Sequence, residues 1–366
     1  MAFPTLNTNE IFNALYNMII SQQVFADNIK GAKSTLVDMA RVDGTLYGDT
    51  KLYYSTDALY SSEWGNDAEA ANLLTLYRPE APECQAITID KFRQIALTVD
   101  QYLTKRAFMN EGDFSSFNSV MLGWIRDTKK IYDNTTYNSY LGTVASAVGG
   151  QTRTVDVTAA TQGLTGEEAA RVKAGVIGED MANLLVDLKD TTRNYNDYGN
   201  IRAVDPDDLV FVWNSKYVSQ IEKRDLPTTF HKDFIDKFAE HTLPARYFGN
   251  VNAATVTASN GTTIRSLVEQ VVEDKDKVKH HLFAGDIIPA NVTLAAGGAI
   301  KYPSYTVDDK IIYKVMHKDS IPYMSAFEVG TSFFNPKSLT ETHYLTWGHN
   351  TLQYLKNYPM ITVKEV

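Results

Sequence analysis

Cysteine is nearly absent from this sequence, and so are long apolar runs. The chain has one cysteine, Cys84, which rules out an internal disulfide. No apolar run approaches the roughly 20 residues that cross a bilayer. The N-terminal segment MAFPTLNTNEIFNALYNMII has no basic stretch before its apolar residues and no small-residue cleavage site. These absences argue against secretion and membrane insertion, and they favour synthesis in a reducing cytoplasm.

Clusters of positive charge are also missing. Lysine and arginine number 35 against 44 aspartate and glutamate residues, which gives a formal charge of -9. The densest basic stretch, EDKDKVKHH at 273–281, is mixed in sign. An acidic surface without a basic face repels nucleic acid, so sequence-specific nucleic-acid binding is not expected. With 44% hydrophobic residues, the chain can bury one large core or two modest ones.

Recognisable catalytic motifs are lacking as well. KGAKS at 30–34 ends like a phosphate-binding loop, but Asp27 and Ala32 stand where that motif needs glycine. His280 and His281 are adjacent, so their side chains point in different directions on a helix or strand. No cysteine or ordered set of carboxylates accompanies them. A nucleotide site and a metal site are therefore not predicted.

The remaining reactive side chains have simpler explanations. Cys84 has no obvious histidine partner and is read as a structural or idle thiol. The pair Glu167 and Glu168 suits the N-terminus of a helix, and the pair Asp207 and Asp208 suits a turn. The sequence thus predicts no catalytic residue, no cofactor-binding residue and no metal ligand.

The first quarter of the chain contains two different patterns. Residues 8–40 show helical pieces and are predicted to form an arm. Residues 44–90 are rich in tyrosine and threonine, with a turn-like SSEWGND and an extended stretch around two prolines, and they predict a long β-hairpin. We expect its turn at 63–66. Because an isolated two-stranded ribbon is only marginally stable, this hairpin is expected to lean on another surface.

The segment DFSSFNSVMLGWIRDTKKIYDN opens a predicted helix over residues 113–141, about 29 residues or roughly 43 Å. Asp113 is its predicted N-cap. Spacings of three and four predict that one face is buried, comprising Phe114, Phe117, Met121, Trp124, Thr128 and Ile131. Lys129, Lys130 and Asp133 fall on the opposite, solvent-facing side. The periodicity alone fits a core helix of any α/β protein.

The rest of the chain alternates between helix and strand patterns. Thr165 and Glu168 predict a capping box at the start of a second helix. Residues 209–213 predict a buried strand, followed by a helix. Further elements are predicted as helices at 231–241 and 263–273 and as strands at 310–318 and 322–334.

This order of elements resembles that of tailed-bacteriophage major capsid proteins, which have the Johnson fold first seen in phage Hong Kong ninety-seven. Residues 66–125, NDAEAANLLTLYRPEAPECQAITIDKFRQIALTVDQYLTKRAFMNEGDFSSFNSVMLGWI, are similar to the corresponding region in small podophages of the phi-twenty-nine type. The resemblance implies an α+β fold with four parts. These are an N-terminal arm (1–43), an extended loop (44–90), a peripheral domain with a long spine helix (91–145 and 335–366) and an axial domain (146–334). The C-terminal immunoglobulin-like domain of the phi-twenty-nine type is not expected, since the chain ends at Val366.

The resemblance also implies a function and a set of partners. The chain would be a subunit without catalysis that assembles with itself, as pentamers and hexamers, into an icosahedral head shell around double-stranded DNA. A separate scaffolding protein and a portal protein are the expected partners, because the hairpin begins near residue 44 and leaves no room for a fused scaffold. Assembly is expected in the host cytoplasm, with no membrane contact. An α/β hydrolase-like enzyme and a surface-binding module remain the alternative interpretations.

Overall fold

The computed structural model describes residues 35–44, 48–61, 76, 78–100, 111–222, 241–258, 270–273, 279–282 and 300–366. The helices are α1 (Thr35–Met39), α2 (Glu111–Thr143), α3 (Val157–Ala160), α4 (Gly166–Lys189) and α5 (Ser215–Glu222). The strands are β1 (Arg41–Asp43), β2 (Thr50–Ser55), β3 (Glu83–Asp100), β4 (Thr152–Val155), β5 (Leu209–Asn214), β6 (Thr242–Leu243), β7 (Gly249–Ala258), β8 (Gln270–Glu273), β9 (Lys279–Leu282), β10 (Ile300–Val307), β11 (Ile311–His317), β12 (Tyr323–Asn335), β13 (Thr340–Asn350) and β14 (Met360–Glu365). No helix in these ranges is long and apolar enough to cross a membrane.

Two compact units share these elements. Unit 1 consists of Met1–Asp49, Ile89–Thr135 and Met324–Asn350, and unit 2 consists of Thr50–Thr88, Thr136–Tyr323 and Thr351–Val366. In unit 1 the strands follow the order β1-β12-β13-β3. Strand β12 pairs antiparallel with β13 from Ser325↔His349 to Asn335↔Thr340, so the two strands form a long ribbon. On its other edge, β13 pairs with residues 89–100 of β3.

Helix α2 confirms the helix predicted over 113–141 and extends it by two residues at each end. Its buried face is not the predicted one. Trp124, which belongs to the predicted buried stripe, is 48% exposed, whereas Ile125 on the next face is 5% exposed. Ile125 packs in unit 1 against Leu345 and Trp347 of β13. The helix therefore packs on strand β13 through a different face, and it is rotated about its axis relative to the expectation.

The rotation has a physical cause in the polar residues of α2. Lys129 and Asp133, which were predicted to face solvent, are both buried. Their side chains form an ion pair across one helical turn, with 3.3 Å between Lys129 Nζ and Asp133 Oδ2. Glu328 of β12 adds a second carboxylate 3.2 Å from Lys129 Nζ, and Arg41 of β1 lies 3.4 Å from Asp133 Oδ2. Because these charges compensate each other, they can occupy positions that periodicity reserves for apolar side chains.

The C-terminal end of α2, in unit 2, is held by backbone contacts. A methyl group placed on Gly142 would lie 2.0 Å from the carbonyl oxygen of Tyr247, so only glycine allows this approach. Lys314 of β11 is fully buried, and its Nζ donates hydrogen bonds to the carbonyl oxygens of Leu141 (3.1 Å) and Val144 (2.6 Å). These carbonyls lack partners within the helix. The lysine therefore satisfies the end of the helix.

A second sheet, with strand order β4-β14-β11-β5-β6, forms the centre of unit 2. The predicted strand 209–213 is confirmed, since every residue of β5 is buried. Trp213 of β5 and Tyr313 of β11 are directly paired, and their ring centroids are 4.5 Å apart. Helix α4 covers this sheet with an apolar face that includes Ile177, Met181, Leu184 and Leu188.

Three local predictions need correction or fall outside the described residues. Thr165 does occupy the N-cap position of α4, but its side chain makes no capping hydrogen bond, so the predicted capping box is wrong. Residues 270–273, predicted as the end of a helix, form β8 and pair antiparallel with β9. The valine pair Val271 and Val272 favours a strand over a helix. Residues 231–240 and 263–269 lie outside the described ranges.

Candidate interaction surface

The two arms of the predicted hairpin are present in unit 2. Strand β2 pairs antiparallel with the first part of β3, from Thr50↔Thr88 to Ser55↔Glu83. The hydroxyl groups of Thr50 and Thr88 are 2.8 Å apart across the pair. The turn predicted at 63–66 lies outside the described residues.

Large apolar side chains beyond the paired strands are exposed. Leu59 is 79% exposed and Tyr60 is 87% exposed, and Leu76 on the returning side is exposed to a similar degree. Within the strands themselves, Leu52 and Tyr54 are also exposed. Several large apolar side chains exposed within one segment are typical of an interaction surface in a soluble protein.

The chain is held firmly at the point where it leaves β2. The carboxylate of Asp57 accepts a hydrogen bond of 2.8 Å from the backbone amide of Ile201 and one of 2.6 Å from Arg193 Nη1. The amide of Ile201, followed by the Arg193 guanidinium, lowers the pKa of Asp57 to about 2. The carboxylate is therefore ionised, and bonded at both oxygens, throughout the physiological pH range.

The two residues before Asp57 are held as well. The hydroxyl of Ser55, which is buried, donates to Asn357 Oδ1 (2.6 Å) and accepts from Asn200 Nδ2 (2.8 Å). Arg202 Nη2 donates to Ser55 Oγ at 3.0 Å and to the carbonyl oxygen of Thr56 at 2.6 Å. Three consecutive residues at the end of β2 thus bond to the same part of unit 2.

The returning strand has its own fixation point. Gln85 of β3 donates from Nε2 to the carbonyl oxygen of Tyr354 (2.9 Å) and accepts at Oε1 from the amide of Lys356 (3.0 Å). Both strands of the ribbon are therefore tied at their base to segments that are distant in sequence.

The segment that binds the end of β2 is a closed polar loop, Thr192–Arg202, which we name the clamp loop. Its two ends exchange backbone hydrogen bonds, with Thr192 and Arg202 each donating to the other's carbonyl oxygen at 2.9 and 3.0 Å. Inside it, the Asn196 side chain donates to the carbonyl oxygen of Asn200 and accepts from its amide. Gly199 adopts a φ of 70°, which favours glycine.

The clamp loop is in turn fixed by Asp197. Its Oδ1 accepts hydrogen bonds from Ser146 Oγ at 2.5 Å and Gln151 Nε2 at 2.7 Å, and its Oδ2 accepts one from the hydroxyl of Tyr354. The Asp197 amide also donates to the carbonyl oxygen of Lys356 at 2.8 Å. The clamp loop is consequently bonded on one side to the end of β2 and on the other to the body of unit 2.

A second exposed apolar set lies on the β12–β13 ribbon of unit 1. Phe333, Phe334 and Leu339 are exposed around the turn between the two strands, and Val329 is exposed further along β12. Leu339 has a φ of 54°, an uncommon value for a residue other than glycine. This ribbon end is another surface with apolar groups that the described part of unit 1 leaves open to solvent.

The reactive residues considered from sequence do not come together into a site where the structure describes their side chains, and residues 30–34 lie outside the described ranges. Cys84 is exposed on β3. Asp207 and Asp208 lie in a single 3-10 turn at Pro206–Asp208, and Asp208 forms a 2.6 Å ion pair with Lys318. Glu167 and Glu168 occupy the first turn of α4. Among the residues that the structure describes, no group of three or more histidine, cysteine, aspartate or glutamate side chains could hold a metal ion.

Sequence reasoning missed the clamp loop. Its partners Ser55 and Asn357 lie far from it along the chain, so no local spacing connects them. The available signal is compositional, because RNYNDYGN at 193–200 concentrates polar and aromatic side chains around one glycine between a helix and a strand.

The family comparison decides what these surfaces belong to. A family described as "Phi29-like phage major capsid protein" matches residues 2–362, nearly the whole chain. The chain belongs to this family. As a major capsid protein it assembles with copies of itself into the icosahedral head shell that encloses the viral double-stranded DNA, and its location is the virion. The resemblance drawn from residues 66–125 is confirmed.

Solved structures show the same fold for this major capsid protein. The capsid structure of Staphylococcus phage Andhra matches with a TM-score of 0.59 and 11% identity, covering 90% of this chain and 83% of the other. A chain from a structure of the head fiber and inner core protein gp22 of bacteriophage P68 matches with a TM-score of 0.58 and 12% identity, covering 89% and 83%. No curated protein sequence matches the chain. The predicted α+β Johnson fold is confirmed.

Proposed function

We propose that the loop 44–90 is the arm by which one capsid subunit holds the next, with its distal part lying across a neighbouring copy. The observation that carries this proposal is the contrast along the loop. Its base is bonded to its own subunit through Asp57 and Gln85, whereas Leu59 and Tyr60 immediately beyond are almost fully exposed. In the shell these apolar side chains gain burial on a neighbour, which supplies part of the driving force for assembly.

The predicted domains give the other elements their roles. The peripheral domain (91–145 and 335–366) provides the spine helix, and copies of the axial domain (146–334) meet around the five-fold and quasi-six-fold axes. Strand β14 of the peripheral return segment pairs antiparallel with β11 of the axial domain, which supports a direct connection between these two proposed domains. The exposed end of the β12–β13 ribbon is a second surface for contact between copies.

The protein acts structurally, without catalysis. The α/β hydrolase alternative requires a largely parallel sheet with a nucleophile at a strand-to-helix turn. In unit 2, β11 runs antiparallel to both of its neighbours, β5 and β14. The residues at the turn from β5 into α5 are Asn214 and Ser215, and Asn214 Nδ2 donates to the carbonyl oxygen of Ile311, a structural use.

A separate scaffolding protein and a portal protein are the proposed partners, and assembly takes place in the host cytoplasm. This part of the proposal follows from the resemblance to tailed-phage capsid proteins. Co-expression of the chain with the product of a neighbouring gene should raise the yield of closed shells seen by electron microscopy. Equal yields of closed shells with and without that product would remove the need for a scaffold.

The loop proposal is tested by a deletion that preserves the base. Residues 59–79 are replaced by a short Gly/Ser link, so that Ser55, Asp57 and Gln85 keep their partners. Loop closure should change the free energy of folding by only about 1 kcal/mol, and circular dichroism should show cooperative unfolding. Light scattering should show that particles no longer form. Normal particles from this variant would show that the loop is not an intersubunit element.

A further inference from the structure

We infer that the clamp loop, together with Asn357, is a positioning device that sets the direction in which the loop 44–90 leaves its subunit. The inference rests on the proposed intersubunit role of that loop and adds residues that act on assembly without touching the neighbouring copy. Asp57, Arg202 and Asn200 are the residues that carry it.

The geometry at the end of β2 supports this role. Bonds reach Ser55 at its hydroxyl, Thr56 at its backbone carbonyl and Asp57 at both carboxylate oxygens. Holding three successive residues by side chain and backbone fixes the dihedral angles between them, and with them the exit direction of the chain. A change in this exit angle displaces the chain further the farther it runs from β2. The exposed Leu59 and Tyr60 would then no longer reach the surface that they contact on a neighbouring subunit.

The clamp itself is preorganised. Thr192 and Arg202 close it through two backbone hydrogen bonds, and Asn196 and Asn200 bond to each other within it while both are buried. The Asp197 carboxylate fixes it to Ser146 and Gln151. A rigid element is needed to impose a direction on another segment, because a flexible one would follow the loop instead.

A purely stabilising role fits these contacts less well. The apolar core of unit 2 is built mainly from α4 and the central sheet. Tyr195 of the clamp loop packs against this core, but Arg193, Asn200 and Arg202, whose side chains bond to the end of β2, are not part of it. Each intramolecular hydrogen bond contributes little net stability once its competition with water is counted, and the ion pair of Arg193 with Asp57 is partly exposed. What these bonds supply, and apolar packing does not, is directional precision.

The test compares folding and assembly in the full-length chain. Asp57→Ala and Arg202→Gln remove clamp bonds, and Asp208→Ala is the matched control, because it removes a carboxylate of the same unit with an equally short 2.6 Å ion pair away from the clamp. The clamp variants should melt within about 5 °C of the parent. They should need at least a tenfold higher subunit concentration to assemble, or give misshapen particles, while the control assembles normally.

Asp57→Asn provides the graded variant, since its amide oxygen can still accept from the Ile201 amide while the ion pair with Arg193 is lost. The subunit concentration that Asp57→Asn needs for assembly should lie between those of the parent and Asp57→Ala. If Asp57→Ala does not fold, Asp57→Asn tests the role of Asp57 in its place. Normal shells at the parent concentration from all three clamp variants would overturn the inference. A Leu59→Ser/Tyr60→Ser double variant separates the two proposals. If it assembles normally, the loop proposal fails. If it does not assemble while the clamp variants do, only the positioning role is lost.

Discussion

Lys129 Nζ lies 3.3 Å from Asp133 Oδ2 on the buried side of helix α2, and the two side chains are 7% and 1% exposed. Removing one member of a buried ion pair costs about 3 to 5 kcal/mol when the other is left without compensation, and because Arg41 still lies 3.4 Å from Asp133 Oδ2, the expected loss is at the lower end, about 3 kcal/mol. Lys129→Ala should therefore lower the free energy of unfolding by roughly this amount. Urea denaturation of unassembled subunits measures the change.

Trp124→Ala is the matched comparison, because Trp124 lies on an exposed face of the same helix. Since Trp124 is half exposed, its loss should cost about 1 kcal/mol or less in the unassembled subunit. This order reverses the one that the apolar stripe predicts from sequence. If Trp124→Ala destabilises the subunit more than Lys129→Ala does, the buried face of α2 is the one predicted from sequence and not the one described above.

Gly142 allows the close approach of the Tyr247 backbone, with a methyl position only 2.0 Å from its carbonyl oxygen. Gly142→Ala must push this backbone away and should cost at least about 1 to 3 kcal/mol. Gly123 lies on the same helix, and no atom of the described residues outside its own helical turn lies within 4 Å of its methyl position. Gly123→Ala should instead stabilise the helix by about 0.5 to 1 kcal/mol. Thermal melts of the two variants should therefore shift in opposite directions, and shifts of the same sign would contradict the assignment.

Lys314 makes the stability of the subunit depend on pH. Burial, with a smaller contribution from Lys364, lowers the pKa of Lys314 to about 7. Between pH 7 and about 10 the unfolded chain then binds more protons than the folded one, so stability rises with pH across this window. The free energy of unfolding of the parent should rise with pH more steeply than that of Lys314→Met, by at most about 1.4 kcal/mol per pH unit.

The measurement is urea denaturation of both proteins between pH 7 and 9. This range stays below the pH at which buried tyrosines such as Tyr137 and Tyr217, whose pKa values are raised by burial, begin to act in the opposite sense. Parallel stability curves for the two proteins would show that Lys314 remains charged in the folded state.

Two helix N-caps should respond differently to substitution. Asp156 caps α3 by accepting a 2.9 Å hydrogen bond from the Ala159 amide, and Asp156→Ala should cost about 1 kcal/mol. Thr165 makes no such bond, so Thr165→Ala should cost less than about 0.5 kcal/mol. Chemical denaturation measures the loss in the free energy of unfolding for each variant. An equal loss for the two variants would support the capping box that the sequence predicts at Thr165.

Helix α2 shows what the sequence could and could not predict. Periodicity located its ends to within two residues, because apolar spacing reports where a helix exists. It gave the wrong face because Lys129 and Asp133 compensate each other's burial with help from Arg41 and Glu328, which come from distant parts of the chain. The clamp loop escaped prediction for the same reason. The bond between Ser55 and Asn357 joins residues 302 positions apart, and such pairs leave no local pattern.

The single cysteine has a practical consequence. Cys84 is exposed and lies on β3 directly opposite Tyr54 of β2, within the paired strands of the loop 44–90. A thiol-reactive dye added to the natural protein therefore labels one position per subunit, without any engineered residue. Fluorescence from that dye would report subunit association in real time, from the strand that leads to the proposed intersubunit contact.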